Sequence, residues 1–140
     1  MAKKRQNEKR RYTRIIFNER NRVQAVVSLP GQQNSAKEVL ASVLNMSEGG
    51  VQVSIERSSF QEMRPGGNVL LSYVSGVQHL KMLKNVPMQI IWIMDNKYLE
   101  HVLLGMSFAV LSEGQRGGLR SFVENRLALT EERTKEEPNN

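Results

Sequence analysis

Apolar and polar residues alternate through most of the middle of the chain. After Gly49-Gly50, Val51, Val53 and Ile55 alternate with Gln52, Ser54 and Glu56, the pattern of a strand with one buried and one wet face. Val23, Ala25 and Val27 alternate with Gln24 and Val26 up to a turn at Pro30-Gly31. Four further aliphatic runs, at 39–44, 69–74, 87–94 and 98–111, predict four more strands, with Asp95-Asn96 as the turn between the last two. Ser59-Phe60-Gln61-Glu62 has helix-capping spacing, but Pro65-Gly66-Gly67 limits it to one turn. The period then changes. Leu119, Phe122, Val123 and Leu127 recur at intervals of three and four behind Ser112 and Gln115, a capping-box pair. That predicts an amphipathic helix of about four turns, weakened by Gly117-Gly118.

Six strands with no helix between them favour antiparallel pairing, and a closed ring leaves no sheet edge exposed. The expected fold is therefore all-β: a six-stranded antiparallel β-barrel with a C-terminal amphipathic α-helix. Trp92 and the methionines at 82, 88, 94 and 106 read as barrel core. A flexible basic arm is expected over 1–9 and a single domain over 10–129. The last residues, 130–140, are mostly charged or Asn and are expected to form a disordered tail.

Composition narrows the class. Hydrophobic residues make up 39% and charged residues 24% of 140, the balance of one globular domain. No apolar run approaches the roughly 20 residues of a membrane span, so membrane insertion is not expected. The basic N-terminus has no apolar segment behind it and the chain has no cysteine, so a cytoplasmic location is expected, without disulfide or thiolate chemistry. The net charge of +6 is unevenly placed. Residues 1–22 hold nine Lys and Arg against two Glu, a net +7, whereas residues 23–140 hold eleven against twelve, a net −1. A cationic leading segment on a neutral body points to an anionic partner.

Catalytic constellations are missing from the sequence. His79 and His101 are isolated, without partners at metal-ligand spacing. There is no nucleophile elbow, P-loop or dinucleotide fingerprint, and the carboxylates do not pair as acid and base. No metal, no cofactor and no enzyme activity are expected; a binding protein is.

Two motifs carry the binding chemistry. Arg10-Arg11-Tyr12-Thr13-Arg14 sets two guanidinium groups four residues apart, up to about 13–14 Å along an extended chain. Each offers a planar fork of donors matching phosphate oxygens or the guanine edge, and the two can bracket a flat, doubly charged ligand. Asn45-Met46-Ser47-Glu48-Gly49-Gly50 is a polar turn between two strands. Asn45 and Ser47 donate and accept, while Gly50, with Gly49, lets a ligand approach the backbone. A second Arg-x-x-x-Arg, at Arg116 and Arg120, falls on the predicted helix and reads as a solvated face.

In this order, Lys9-Arg10-Arg11-Tyr12-Thr13-Arg14 and then Asn45-x-Ser47-x-x-Gly50 resemble the signature of the PilZ domain family. Leu104-Gly105-Met106-Ser107-Phe108 is similar to that family's late Gly-x-x-Phe strand, and the resemblance covers residues 9–127. It implies a six-stranded barrel with a C-terminal helix that binds the bacterial second messenger cyclic di-GMP without catalysis. By motif, Arg10 and Arg14 would grip guanine and phosphate; Asn45, Ser47 and Gly50 would form the floor. Arg11 and Gly49 would have lesser parts. Asn45 stands where the family often has Asp. The expected mechanism is a change in the N-terminal arm on binding, read by a downstream protein partner. Two other readings use the same features. One is a small barrel binding nucleic acid through the arm, against which stand an aromatic content of 6% and a neutral body. The other is a PilZ-like interaction module without nucleotide binding.

Overall fold

The computed structural model describes residues 14–17, 22–29, 37–60 and 63–136, with side chains as far as 129. The arm expected at 1–9, Arg10 and Arg11, the turn at Pro30-Gly31, and the last four residues of the expected tail lie outside the described residues.

The strands are β1 (Ile15–Ile16), β2 (Gln24–Leu29), β3 (Lys37–Met46), β4 (Gly50–Glu56), β5 (Asn68–Ser75), β6 (Val86–Met94) and β7 (His101–Phe108), followed by helix α1 (Glu113–Glu136). Six of them close on themselves in the order β3-β2-β5-β6-β7-β4, with β4 pairing back to β3. All pairings are antiparallel. This is the expected six-stranded barrel with its C-terminal helix. The pattern did not predict β1, because two residues carry no period. It adds to β3, Ile15 opposite Met46 and Ile16 opposite Asn45, and the Phe17 amide donates to the Leu44 carbonyl at 2.9 Å.

Alternation fills the ring. Val39, Ala41 and Val43 of β3, Val51, Val53 and Ile55 of β4, and Val102, Leu104 and Met106 of β7 all bury their side chains in one core. Ala25 and Val27 add to it from β2, and Val69, Leu71, Val74, Val86, Met88 and Ile90 from β5 and β6. Burying each aliphatic side chain contributes roughly 1.5–3 kcal/mol, which is what closure of the ring gains.

Three irregularities reset the alternation. Between Val26 and Val27 the register of β2 against β5 slips, leaving Ser72 as the extra residue of β5. Between Val43 and Asn45 the register of β3 against β4 slips, so Leu44 is an extra residue; Val43 and Met46 both point inward and Asn45 outward. Between Ile90 and Trp92 the register of β6 against β7 slips in the same way at Ile91. Ile90 and Ile93 therefore both pack on the core, and Trp92 turns outward. The expectation that Trp92 is core is corrected: it is half-buried on the outer face. Met88 and Met106 are core as expected, Met82 packs at its margin, and Met94, beyond the bulge, is 53% exposed. Strand β7 starts at His101, not at 98. The preceding chain is held in a turn by Asn96, whose carbonyl accepts from Leu99 N and whose Oδ1 accepts from Tyr98 N. A 3-10 turn forms at Arg57–Ser59, and the turn expected over Ser59-Phe60-Gln61-Glu62 runs outside the described residues at 61–62.

The capping box operates as read. Gln115 N donates to Ser112 Oγ at 3.1 Å and Ser112 N to Gln115 Oε1 at 3.0 Å. Leu119, Phe122 and Val123 are buried in the same core as Leu80 and Leu83 of the β5–β6 connection, and Phe122 stacks on Phe17 with ring centroids 6.2 Å apart. The helix thus lies against β1 and the 78–83 segment. It runs on through Thr130 to Glu136, where a disordered tail was expected. The sequence there lacks apolar anchors, but Glu, Arg and Lys are good helix formers, so nothing in 131–136 stops it.

Candidate functional site

The bulge at Leu44 aims Asn45 at the outer surface, where its Nδ2 donates to Gln52 Oε1 at 2.8 Å. The chain then reverses. Ser47 N donates to the Gly50 carbonyl at 2.9 Å, and Ser47 Oγ accepts from Gly49 N at 3.1 Å. Ser47 is buried, and its hydroxyl proton is left for another partner. The turn is also fixed to β7: Phe108 N donates to the Gly49 carbonyl at 3.0 Å, and Gly50 pairs with Ser107. A Cβ on Gly50 would stand 2.1 Å from the Met106 carbonyl oxygen, so this close approach admits only glycine.

Arg14 is exposed and stands immediately before β1. Since Ile15 faces Met46, one further step of the antiparallel ladder sets Arg14 opposite Ser47. The structure thereby brings Arg14, Asn45, Ser47, Gly49 and Gly50 to one corner of the barrel.

A row runs across the outer face from this corner. Ile16 pairs with Asn45, Asn45 with Gln52, Gln52 with Gly105, and Gly105 with Trp92. The indole lies directly over Gly105, whose added Cβ would fall 2.2 Å from Trp92 Nε1 and 2.3 Å from Cε2. The row thus offers an exposed aliphatic side chain, two linked amides, a backbone floor and an aromatic face. Amides read the edge of a base and an indole stacks on its plane.

Three participants were not legible beforehand. Gln52 looked like an ordinary polar residue of a half-wet strand, and Trp92 like core. A signal was present at Gly105, because a glycine inside a strand marks a place where something approaches the backbone closely. The third is Arg120. Its spacing on the helix predicts a solvated face; instead its Nε donates to Glu48 Oε1 at 3.0 Å, joining α1 to the turn. Arg116 is exposed. Among the described residues no group of three His, Cys, Asp or Glu could hold a metal, and no helix is long and apolar enough to cross a membrane.

None of the curated proteins matches the chain. Solved structures do. The PilZ domain of YcgR from Escherichia coli with c-di-GMP is 18% identical, with a TM-score of 0.62 over 90% of this chain and 97% of that one. YcgR in complex with c-di-GMP, also from Escherichia coli, is 16% identical with a TM-score of 0.64, over 91% of this chain and 50% of that one. The K. pneumonia MrkH–c-di-GMP complex is 10% identical with a TM-score of 0.65, over 89% of this chain and 55% of that one. The chain thus spans about half the length of the two larger proteins. At these identities the likeness is one of fold. The family model described as PilZ domain matches residues 8–125, and the chain belongs to the PilZ domain family.

Proposed function

We propose that this chain is a receptor for cyclic di-GMP that works by binding and not by catalysis. One observation carries the reading: β1 pairs with β3 so that Arg14 enters the barrel beside the Asn45–Gly50 turn, joining two motifs some thirty residues apart in sequence. The solved relatives of the same fold that contain c-di-GMP support the choice of ligand. In this reading Arg10 and Arg14 take the phosphates and a guanine edge through charge-assisted bonds, while Asn45, Ser47 and Gly50 form the floor. Arg11 adds charge, Gly49 adds room, and Trp92 stacks on a base at the far end of the row.

The same reading makes the N-terminal arm the responsive part. For Arg10 to meet a ligand on the turn, residues 10–13 would have to lie across it. Fixing those residues costs roughly 1–2 kcal/mol each in backbone entropy, so the charge-assisted bonds must exceed that. The closed arm presents a new surface to a downstream protein.

Isothermal titration with cyclic di-GMP tests the receptor reading, alongside the Arg10→Ala/Arg14→Ala variant. Saturable binding by the parent and its loss in a folded variant are expected. No heat from the parent at high ligand overturns the reading and turns attention to oligonucleotides and partner proteins. Limited proteolysis of the arm tests the second step, with cleavage slowed by ligand as the expected result and equal rates against it.

A further inference from the structure

Glu48 is a carboxylate placed where a dianion is proposed to sit. It lies between Ser47 and Gly49, in the turn, and its side chain is only 18% exposed, so water screens it poorly. Left alone it would repel the phosphates that Arg14 is there to attract. Arg120 meets it from α1 at 3.0 Å. A pair this exposed on the arginine side, 56%, adds little to folding. Its effect on an incoming anion is another matter, because a carboxylate acts over the whole turn, and at physiological salt screening needs about 8 Å to take hold.

We infer that Arg120 is a positioning residue for ligand binding: by holding and neutralising Glu48 it makes the turn acceptable to a phosphate. This rests on the receptor reading above. It also gives the site two flanks locked to each other. Arg14 stands just before β1 and Arg120 on α1, and Phe17, just after β1, stacks on Phe122 of α1. The helix is thereby part of the anion site's electrostatics without touching the ligand.

The test is a titration cycle with cyclic di-GMP on the full chain, using the parent, Arg120→Gln, Glu48→Gln, the double variant and Arg120→Lys, each with its melting temperature. Arg120→Gln is expected to weaken binding roughly five- to tenfold, the size of an uncompensated charge at a partly screened site, with an almost unchanged melting temperature. Glu48→Gln should bind at least as well as the parent. The double variant should return to parent affinity, Arg120→Lys should retain most of it, and the Arg120→Gln deficit should shrink at high salt. A deficit that persists when Glu48 is also replaced overturns the inference, since Arg120 would then act on the ligand or the helix directly. Unchanged affinity of Arg120→Gln in a parent that binds overturns it too, leaving the receptor intact. A parent that gives no heat overturns the receptor reading and this one with it.

Discussion

The inside and the outside of this barrel obey different rules. Strands β4 and β7 line the interior by strict alternation: Val51, Val53 and Ile55, then Val102, Leu104 and Met106, each turned inward by the pleat. The candidate row on the outside exists because alternation fails at two places along it. The bulges at Leu44 and Ile91 each insert one residue, and the residue after each, Asn45 or Trp92, is thereby turned to the surface. A sheet with perfect period would have put those two side chains on whichever face their parity dictated. Regularity makes the container, and its interruptions aim the chemistry.

Three substitutions sharpen that contrast. The largest effect belongs to the interior: Leu104→Ala, at a position with no exposure, is expected to cost about 2–5 kcal/mol of stability, read by denaturant unfolding. Affinity of the remaining folded protein for cyclic di-GMP should hold; a loss of affinity at full stability would show that the two faces are not separable. On the outer face Trp92→Ala should do the reverse. We expect roughly 1–3 kcal/mol of binding to disappear by titration, the usual worth of one base–aromatic contact, with the barrel's unfolding midpoint moving far less than for Leu104→Ala. Equal affinity would remove Trp92 from the site. The smallest effect is at Gln52→Ala, which frees the Asn45 amide from its 2.8 Å bond. A loss near 1 kcal/mol in affinity is expected, and no loss at all would mean that Asn45 needs no steering.

The same contrast explains what could be read from the chain unaided. The interior strands were legible because period two is a statistical signal spread over many residues, as in 51–55. The helix start was legible because Ser112 and Gln115 satisfy each other locally, within three residues. The turn from Asn45 to Gly50 was legible as a motif, although its attachment to Met106 and Phe108 was not. What stayed hidden is non-local or breaks the period. Trp92 was misassigned because a bulge reverses parity without leaving a mark in composition. β1 escaped because two residues among arginines show no pattern. The Glu48–Arg120 pair spans 72 positions, and nothing at either end names the other.

The turn that carries Ser47 is also the seam of the ring. β4 runs from Gly50 into its pairing with β7, and the amide of Phe108 and the carbonyl of Met106 are what shape the turn from the other side. A ribosome releasing this chain exposes every motif residue from Arg10 to Gly50 before residues 101–108 have been made. The contacts that fix the turn from its far side are missing until the last strand arrives. The outer row from Asn45 to Trp92 is therefore completed only when β7 meets β4 and β6; closures of this long-range kind are the slow ones in folding. Ligand that favours the closed ring over the open one adds its binding energy to the whole barrel and not to a loop, so the messenger would act as a late folding partner as much as a signal.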